Sequence, residues 1–289
     1  MLFRSRPSIV IGLSQGGQSL STVEGLDEAV AHGIPTAAVS ENPTALVFDH
    51  ADAKVLLEVG NEKCGAKTKG YGASIATLML MLQELALAKG IVSQDVVDGY
   101  VARMRKVVAN LPAVTDAATA WYDRIAEDFY PAKRIIVVGY DNMYGDVLEG
   151  ALKILETVRQ GVTGYDIEEF FHGIYNSITE DSYLFYLASA GDYRPRTRKL
   201  VEILSEWTPH NYLIGSPDGL GEGTERDCVV PFEEDPLFSC WEYILPLQVV
   251  ACMAAQAHGV DPSIPKDPLF HQRIGSKKLD GVRDNYVTK

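Results

Sequence analysis

A short apolar run that ends in a polar, glycine-containing loop and then passes into a helical pattern occurs twice in this chain. That repeat narrows the fold more than any other feature. The stretch Pro7-Ser8-Ile9-Val10-Ile11-Gly12-Leu13 is rich in β-branched residues and ends in Ser14-Gln15-Gly16-Gly17-Gln18-Ser19. Val23, Leu26, Ala29 and Val30 then fall on one helical face. The order predicts strand, loop, helix. Pro35–Ser40 and Lys54–Glu58 predict two further strands. The pattern restarts with a strand at Arg134–Gly139, a loop at Tyr140–Met143 and a helix over Tyr144–Arg159. Strands at Ser182–Ala188 and Asn211–Ile214 follow, and then a largely apolar helix over Trp241–His258. Strands alternating with helices predict parallel sheets covered on both faces. The two halves look like two copies of one α/β plan.

Between them, Gly70–Leu87 is apolar enough to predict a buried helix, and Ser93 is placed to cap a second. Leu111-Pro112 is expected to break that helix, with a third over Thr115–Phe129 bridging the halves. The expected division is a first domain over 1–112, a linking helix over 113–131, a second domain over 132–262, and a tail over 263–289 that closes the site.

With 26 Lys+Arg against 39 Asp+Glu the formal charge is −13, which disfavours nucleic acid as the main partner. The four cysteines, Cys64, Cys228, Cys240 and Cys252, contain no CxxC pair and suit neither a zinc knuckle nor a disulfide framework. Reduced thiols in a cytoplasmic protein are expected. The first residues carry no apolar stretch of signal-peptide length. The most apolar segment, Ala73–Ala86, is interrupted by Gln83 and Glu84 and reads as too short and too polar for a bilayer, so no membrane partner is expected.

Three places carry candidate chemistry. The turn Ser14–Ser19 points backbone N–H groups and the Ser14, Gln15 and Ser19 side chains toward the start of a helix, which makes a neutral phosphate cradle. The same residues also suit a plain βα turn with Ser19 capping the helix. Gly60–Thr68 nearly mimics a nucleotide P-loop, but Ala66 intrudes between the second glycine and the lysine, so an ATP reading is rejected. Glu149, Lys153 and Glu156 share one helical face, with Glu169-Phe170-Phe171-His172-Gly173 close behind. An ion-paired solvated face is the plain alternative, and the apolar flanks Leu148, Ala151, Leu152, Ile154 and Leu155 argue against it. No metal-ligand cluster and no cofactor motif is present; the GxG within Gly215–Arg226 lacks the helix a dinucleotide site needs.

Taken in order, these motifs resemble the sugar isomerase (SIS) family, in particular the isomerase half of glucosamine-6-phosphate synthase and relatives without a glutaminase domain. Ser14–Thr22 is similar to the family's phosphate loop, Glu62–Lys69 to its second sugar loop, Leu148–Glu156 to its catalytic helix, and Glu169–Gly173 to its Glu-Phe/Leu-x-His-Gly motif. Pro246-Leu247-Gln248 also fits. The resemblance implies two tandem three-layer αβα units with parallel sheets, no cofactor and no metal. It implies Ser14, Gln15 and Ser19 on a phosphate, Thr22 closing the loop, and Ala66, Lys67 and Thr68 at the sugar. Glu156 takes the place of the general base between C1 and C2, with Lys153 and Glu149 lining the same site. His172 assists ring opening from a neighbouring subunit, so a homodimer or larger homo-oligomer is expected. A tail lysine, Lys277 or Lys278, faces the carbonyl.

Three departures stand out. Gly16 replaces the phosphate loop's second serine, and Gly139-Tyr140-Asp141 stands where the synthase has Gly-Arg-Gly. The chain also starts just before the phosphate loop, so the family's first βα unit of ~30 residues is expected to be missing, leaving a sheet edge for dimerisation to cover. The expected function is a phosphosugar enzyme acting on a 6-phosphorylated amino sugar or sugar–amine adduct by isomerisation, deamination or deglycase chemistry. A non-catalytic phosphosugar-binding protein is the alternative.

Overall fold

The computed structural model describes residues 9–60, 62 and 64–277. In chain order it holds β1 (Val10–Leu13), α1 (Leu20–Ala31), β2 (Thr36–Ser40), β3 (Ala53–Leu56), α2 (Lys69–Ala88) and α3 (Gln94–Phe129). Next come β4 (Arg134–Gly139), α4 (Tyr144–Val158), β5 (Gly161–Asp166), α5 (Ile167–Phe171), β6 (Ser182–Leu187) and α6 (Arg194–Leu204). Then follow β7 (Asn211–Gly215), α7 (Pro217–Leu220), β8 (Cys228–Val229), α8 (Cys240–Ala257) and α9 (Phe270–Ile274). The chain divides into two compact units: residues 1–86 with 263–289, and residues 87–262.

The first unit carries a parallel sheet in the order β1-β2-β3, with Val10 opposite Thr36 and Ala37 opposite Ala53. Helix α1 turns Val23 and Leu26 onto it, where they pack with Ala38, Ala45, Val47 and Phe48. The second unit carries a parallel sheet in the order β5-β4-β6-β7-β8. Alternate residues of a strand face opposite sides of its sheet. Ile136 and Val138 enter a core with Phe170, Tyr186, Leu200 and Leu213, under α5 and α6. On the other side Gly139 and Gly164 lie under Val147 of α4, and α3, α4 and α8 pack together. Phe129 anchors that layer, its ring 5.4 Å from Phe185 and 6.2 Å from Tyr212.

The internal repeat is visible in the spacing. β3 starts 17 residues after β2 (36 to 53), and β8 starts 17 residues after β7 (211 to 228). The first sheet therefore follows the plan of β6, β7 and β8. Among the described residues no strand pairs with the open side of β1.

Two expectations need correction. The helix does not break at Leu111-Pro112: α3 runs unbroken for 36 residues with Pro112 inside it. Its buried face, including Met104 and Val107 before the proline and Val114 and Trp121 after it, outweighs the lost hydrogen bond. The carbonyl that Pro112 cannot serve belongs to Val108, an exposed residue that water can reach. This continuous helix belongs to the second unit. Helix α2 is not buried either: of its residues only Gly70 is fully enclosed, and Leu80, Leu82 and Leu85 are exposed. Its 20 residues also make it long and apolar enough, by length and composition alone, to cross a membrane, which the reading of Ala73–Ala86 denied.

Replacing a helix-interior proline normally stabilises. Pro112→Ala is therefore expected to raise stability by about 1–3 kcal/mol, seen as a higher urea midpoint at unchanged slope. A lowered midpoint would contradict the unbroken helix.

Candidate functional site

In the first unit the chain leaves the sheet at Ser14, whose N–H still bonds Val39 O at 3.1 Å. Gly17 N then bonds Ser14 O at 2.9 Å, closing a tight turn. Gly17 has φ +75°, and a Cβ there would lie 2.2 Å from the Ala45 methyl, so only glycine fits. The end of β2 clamps the turn: Ser40 Oγ and Glu41 N both donate to Gln15 O, at 2.9 and 3.0 Å. Gly16 is exposed, and a side chain there would meet nothing within 4 Å. Its lack of a hydroxyl is thus not a steric demand of this turn.

Ser19 occupies the N-cap position of α1 with extended backbone, yet its hydroxyl makes no capping bond and lies 3.4 Å from Ser21 Oγ. The simple capping alternative is not what forms. Thr22 is half-buried in the first turn. The tail joins this loop: Ser19 and Lys277 form an antiparallel bridge, and Leu20 N bonds Ser276 O at 3.3 Å. Lys277 is thereby brought to the loop; Lys278 lies outside the described residues.

Gln15 is placed differently from a free phosphate donor. Its Nε2 donates to Glu41 Oε2 at 2.8 Å and to Glu62 Oε2 at 3.1 Å. Glu62, to which the motif analysis gave no role of its own, is buried and accepts from Thr68 N at 2.8 Å, Lys69 N at 3.0 Å and Gly70 N at 3.0 Å. Burial alone pushes its carboxyl up, but the bonds from Thr68, Gln15, Gly70 and Lys69 outweigh burial and hold it below its ordinary value. Lys67 Nζ donates to Glu62 O at 2.6 Å and stands 3.8 Å from Glu41 Oε1. Ala66 is buried, and Thr68 immediately precedes α2. The signal for Glu62 was a glutamate six to eight residues before the first amides of a helix, a long-range cap that no short motif records.

In the second unit, Lys153 is buried on α4 between two carboxylates of its own helix. It pairs with Glu156 Oε1 and lies 3.4 Å from Glu149 Oε1. The solvated-face alternative therefore fails. Glu149 is the more enclosed partner, with 15% of its side chain exposed against 34% for Glu156. Burial pushes the Glu149 carboxyl up, the Lys153 charge and hydrogen bond oppose this, and Glu156 adds to it. His172 ends α5 and is exposed. Strand β4 sends Ile136 and Val138 toward α5, and Gly139 toward α4. Glu156 and His172 of one chain therefore belong to helices on opposite faces of the same sheet.

No family model matches the chain. It is similar to the glutamine–fructose-6-phosphate aminotransferase (isomerizing) of Zymomonas mobilis, at 27% identity over 88% of this chain, and spans 42% of that relative's length. A Clostridium difficile 630 structure described as a candidate phosphosugar isomerase has 36% identity and a TM-score of 0.89, over 94% of this chain and 76% of that one. The chain belongs to the sugar isomerase (SIS) family. A Salmonella typhimurium LT2 structure described as a candidate sugar-binding protein is 36% identical with a TM-score of 0.79, over 87% and 74% of the two chains. The two parallel sheets are tandem SIS-type units.

The placement of Glu149 on this SIS helix sets a pH dependence. Its folded form holds a proton more tightly than the unfolded chain, whose ordinary value is 4.5. The stability it contributes is present below that value and is lost as pH rises through the higher folded value. Glu149→Gln is expected to flatten the fall in melting temperature across that rise. Identical slopes in the variant and the parent would show that Glu149 is not the buried acid.

Proposed function

We propose that this SIS protein is an enzyme that acts on a 6-phosphorylated amino sugar or sugar–amine adduct by moving a proton between C1 and C2. Isomerisation, deamination and deglycase chemistry share that step. The observation that carries the reading is the Glu149–Lys153–Glu156 set: a buried ammonium flanked by one enclosed and one accessible carboxylate. Proton transfer at carbon needs a carboxylate that can meet the substrate while its neighbours tune charge. Glu156 is assigned as that base. Lys153 supplies positive charge against an enediolate, as an electrostatic stabiliser does.

In this reading Ser14, Ser19 and the amides at the start of α1 hold the ester, with Thr22 beside them. Gln15 shapes the loop from within, because its Nε2 already serves Glu41 and Glu62. Ala66, Lys67 and Thr68 meet the sugar, and Lys277 offers a cation at the phosphate loop. His172 opens the ring near neutral pH. The placement of α4 and α5 on opposite faces of one sheet supports the reading that this histidine comes from a second copy. The exposed apolar side of α2 supports a homo-oligomer that covers it. Four cysteines without a disulfide support a reducing cytoplasm. A non-catalytic phosphosugar-binding role is the second reading, favoured by the missing Gly16 hydroxyl and the internal commitment of Gln15.

The enzyme reading expects fructose 6-phosphate to raise the melting temperature where fructose does not. It expects Glu156→Gln to lower exchange of the C1/C2 hydrogen with solvent deuterium by about 10²-fold or more at nearly unchanged binding. Binding with no exchange in the parent protein would leave the binding-protein reading in place. Mixing Glu156→Gln with His172→Ala is expected to restore activity through hybrid oligomers. Failure of a demonstrated hybrid to recover any activity would place His172 and Glu156 in the same subunit's site.

A further inference from the structure

The Glu62 carboxylate receives five hydrogen bonds, from Gln15 Nε2, Thr68 N, Thr68 Oγ1, Lys69 N and Gly70 N. One oxygen takes Thr68 and Lys69; the other takes Gly70 and Gln15. The same side chain thus holds the start of α2 and reaches across to the phosphate loop. A carboxylate suits this place because it offers acceptors only. A carboxamide would turn an NH2 group toward an N–H or toward the Gln15 amide.

The lock has a third part. The Gln15 carboxamide lies where a side chain at position 70 would be: a Cβ on Gly70 would stand 2.0 Å from Gln15 Oε1 and 2.4 Å from its Cδ. Glu41 takes the other bond of Gln15 Nε2 at 2.8 Å. Glu41, Gln15, Gly70 and Glu62 therefore interlock, and the 14–19 turn cannot shift independently of the 64–70 segment.

We propose that Glu62 is a positioning residue that locks the 14–19 turn to the 64–70 segment through Gln15, so that the ester and the hydroxyls of one ligand are met at a fixed spacing. The ligand rests on the phosphosugar reading above; the lock does not. Misplacing one of two such contacts weakens a ligand that uses both and spares one that uses a single loop.

Hydrogen–deuterium exchange of the full chain tests the lock without any ligand. Glu62→Gln is expected to speed exchange in both 14–19 and 64–70. Gly70→Ala, which leaves Glu62 in place, is expected to speed exchange in 14–19 by ejecting Gln15, and it decides the matter alone should Glu62→Gln not fold. Faster exchange confined to 64–70 in the first variant, or an unchanged 14–19 turn in the second, overturns the proposal. Titration with two probes then tests the purpose. Glu62→Gln is expected to weaken fructose 6-phosphate by about tenfold or more and inorganic phosphate by less than twofold. Equal losses for both probes would reduce Glu62 to a stability element. A parent protein that binds neither probe refutes the phosphosugar reading, while the exchange result still judges the lock.

Discussion

A buried ammonium is the constraint around which helix α4 of the second unit is organised. Taking a lysine out of water costs several kcal/mol unless opposite charge meets it. Helix α4 supplies that charge from both directions, with Glu149 one turn before Lys153 and Glu156 just under a turn after it. Two carboxylates around one ammonium cannot both be neutralised by it. The burden falls on the more enclosed one, and burial drives Glu149 toward its protonated form. Glu156 keeps a third of its side chain in solvent. Environment alone thus sets two identical carboxyls apart, the kind of difference that can separate acid and base functions within one site.

The first unit meets a different electrostatic problem. A chain of formal charge −13 has to hold a dianion if it binds a phosphosugar. Its turn relies on amides and hydroxyls at the head of α1 rather than on a cluster of cations. Its acidic neighbours, Glu41 and Glu62, are turned inward and occupied: Glu41 by Gln15 and Lys67, Glu62 by Gln15 and the first amides of α2. Carboxylates that would repel an anion are thereby converted into braces for the 14–19 turn. The Lys277 backbone, paired with Ser19, adds a basic residue from the far end of the chain.

What the sequence disclosed follows from the range of the forces involved. The strand–loop–helix repeat and the Glu149-Lys153-Glu156 face are local, set by periodicity within a turn or two, and both were legible. The unbroken α3 was not, because Pro112 is a local signal that burial along the whole helix overrides. Strand β5 was missed because Gly161-Val162-Thr163-Gly164-Tyr165-Asp166 lies at a sheet edge and shows little apolar pattern. Strand β8 is only two residues long. Helix α2 has the composition of a core helix without the burial, since hydrophobicity says that a face wants cover but not what covers it. Glu62 escaped because its partners are backbone amides and a glutamine 47 residues away.

The internal repeat puts a corresponding turn in each unit. By strand order, the turn after β1 corresponds to the segment after β6, Ala188–Tyr193. In the second unit that segment is filled from within. Arg194 Nε donates to Ala188 O and Ser189 O, both at 3.0 Å, and its guanidinium pairs with Glu234. The Tyr140 hydroxyl donates to Ser189 O, and Tyr243 OH donates to Glu234 at 2.7 Å. The bulky side chains Tyr140 and Tyr243 are fully buried there. In the first unit small residues stand at the corresponding turn: a Cβ on Gly16 would meet nothing within 4 Å, and one on Gly17 would run into Ala45 and Ser40. The same backbone plan therefore carries a segment filled by buried side chains in one unit and a glycine turn with an exposed position in the other. The difference resides in side-chain volume at a handful of positions rather than in topology.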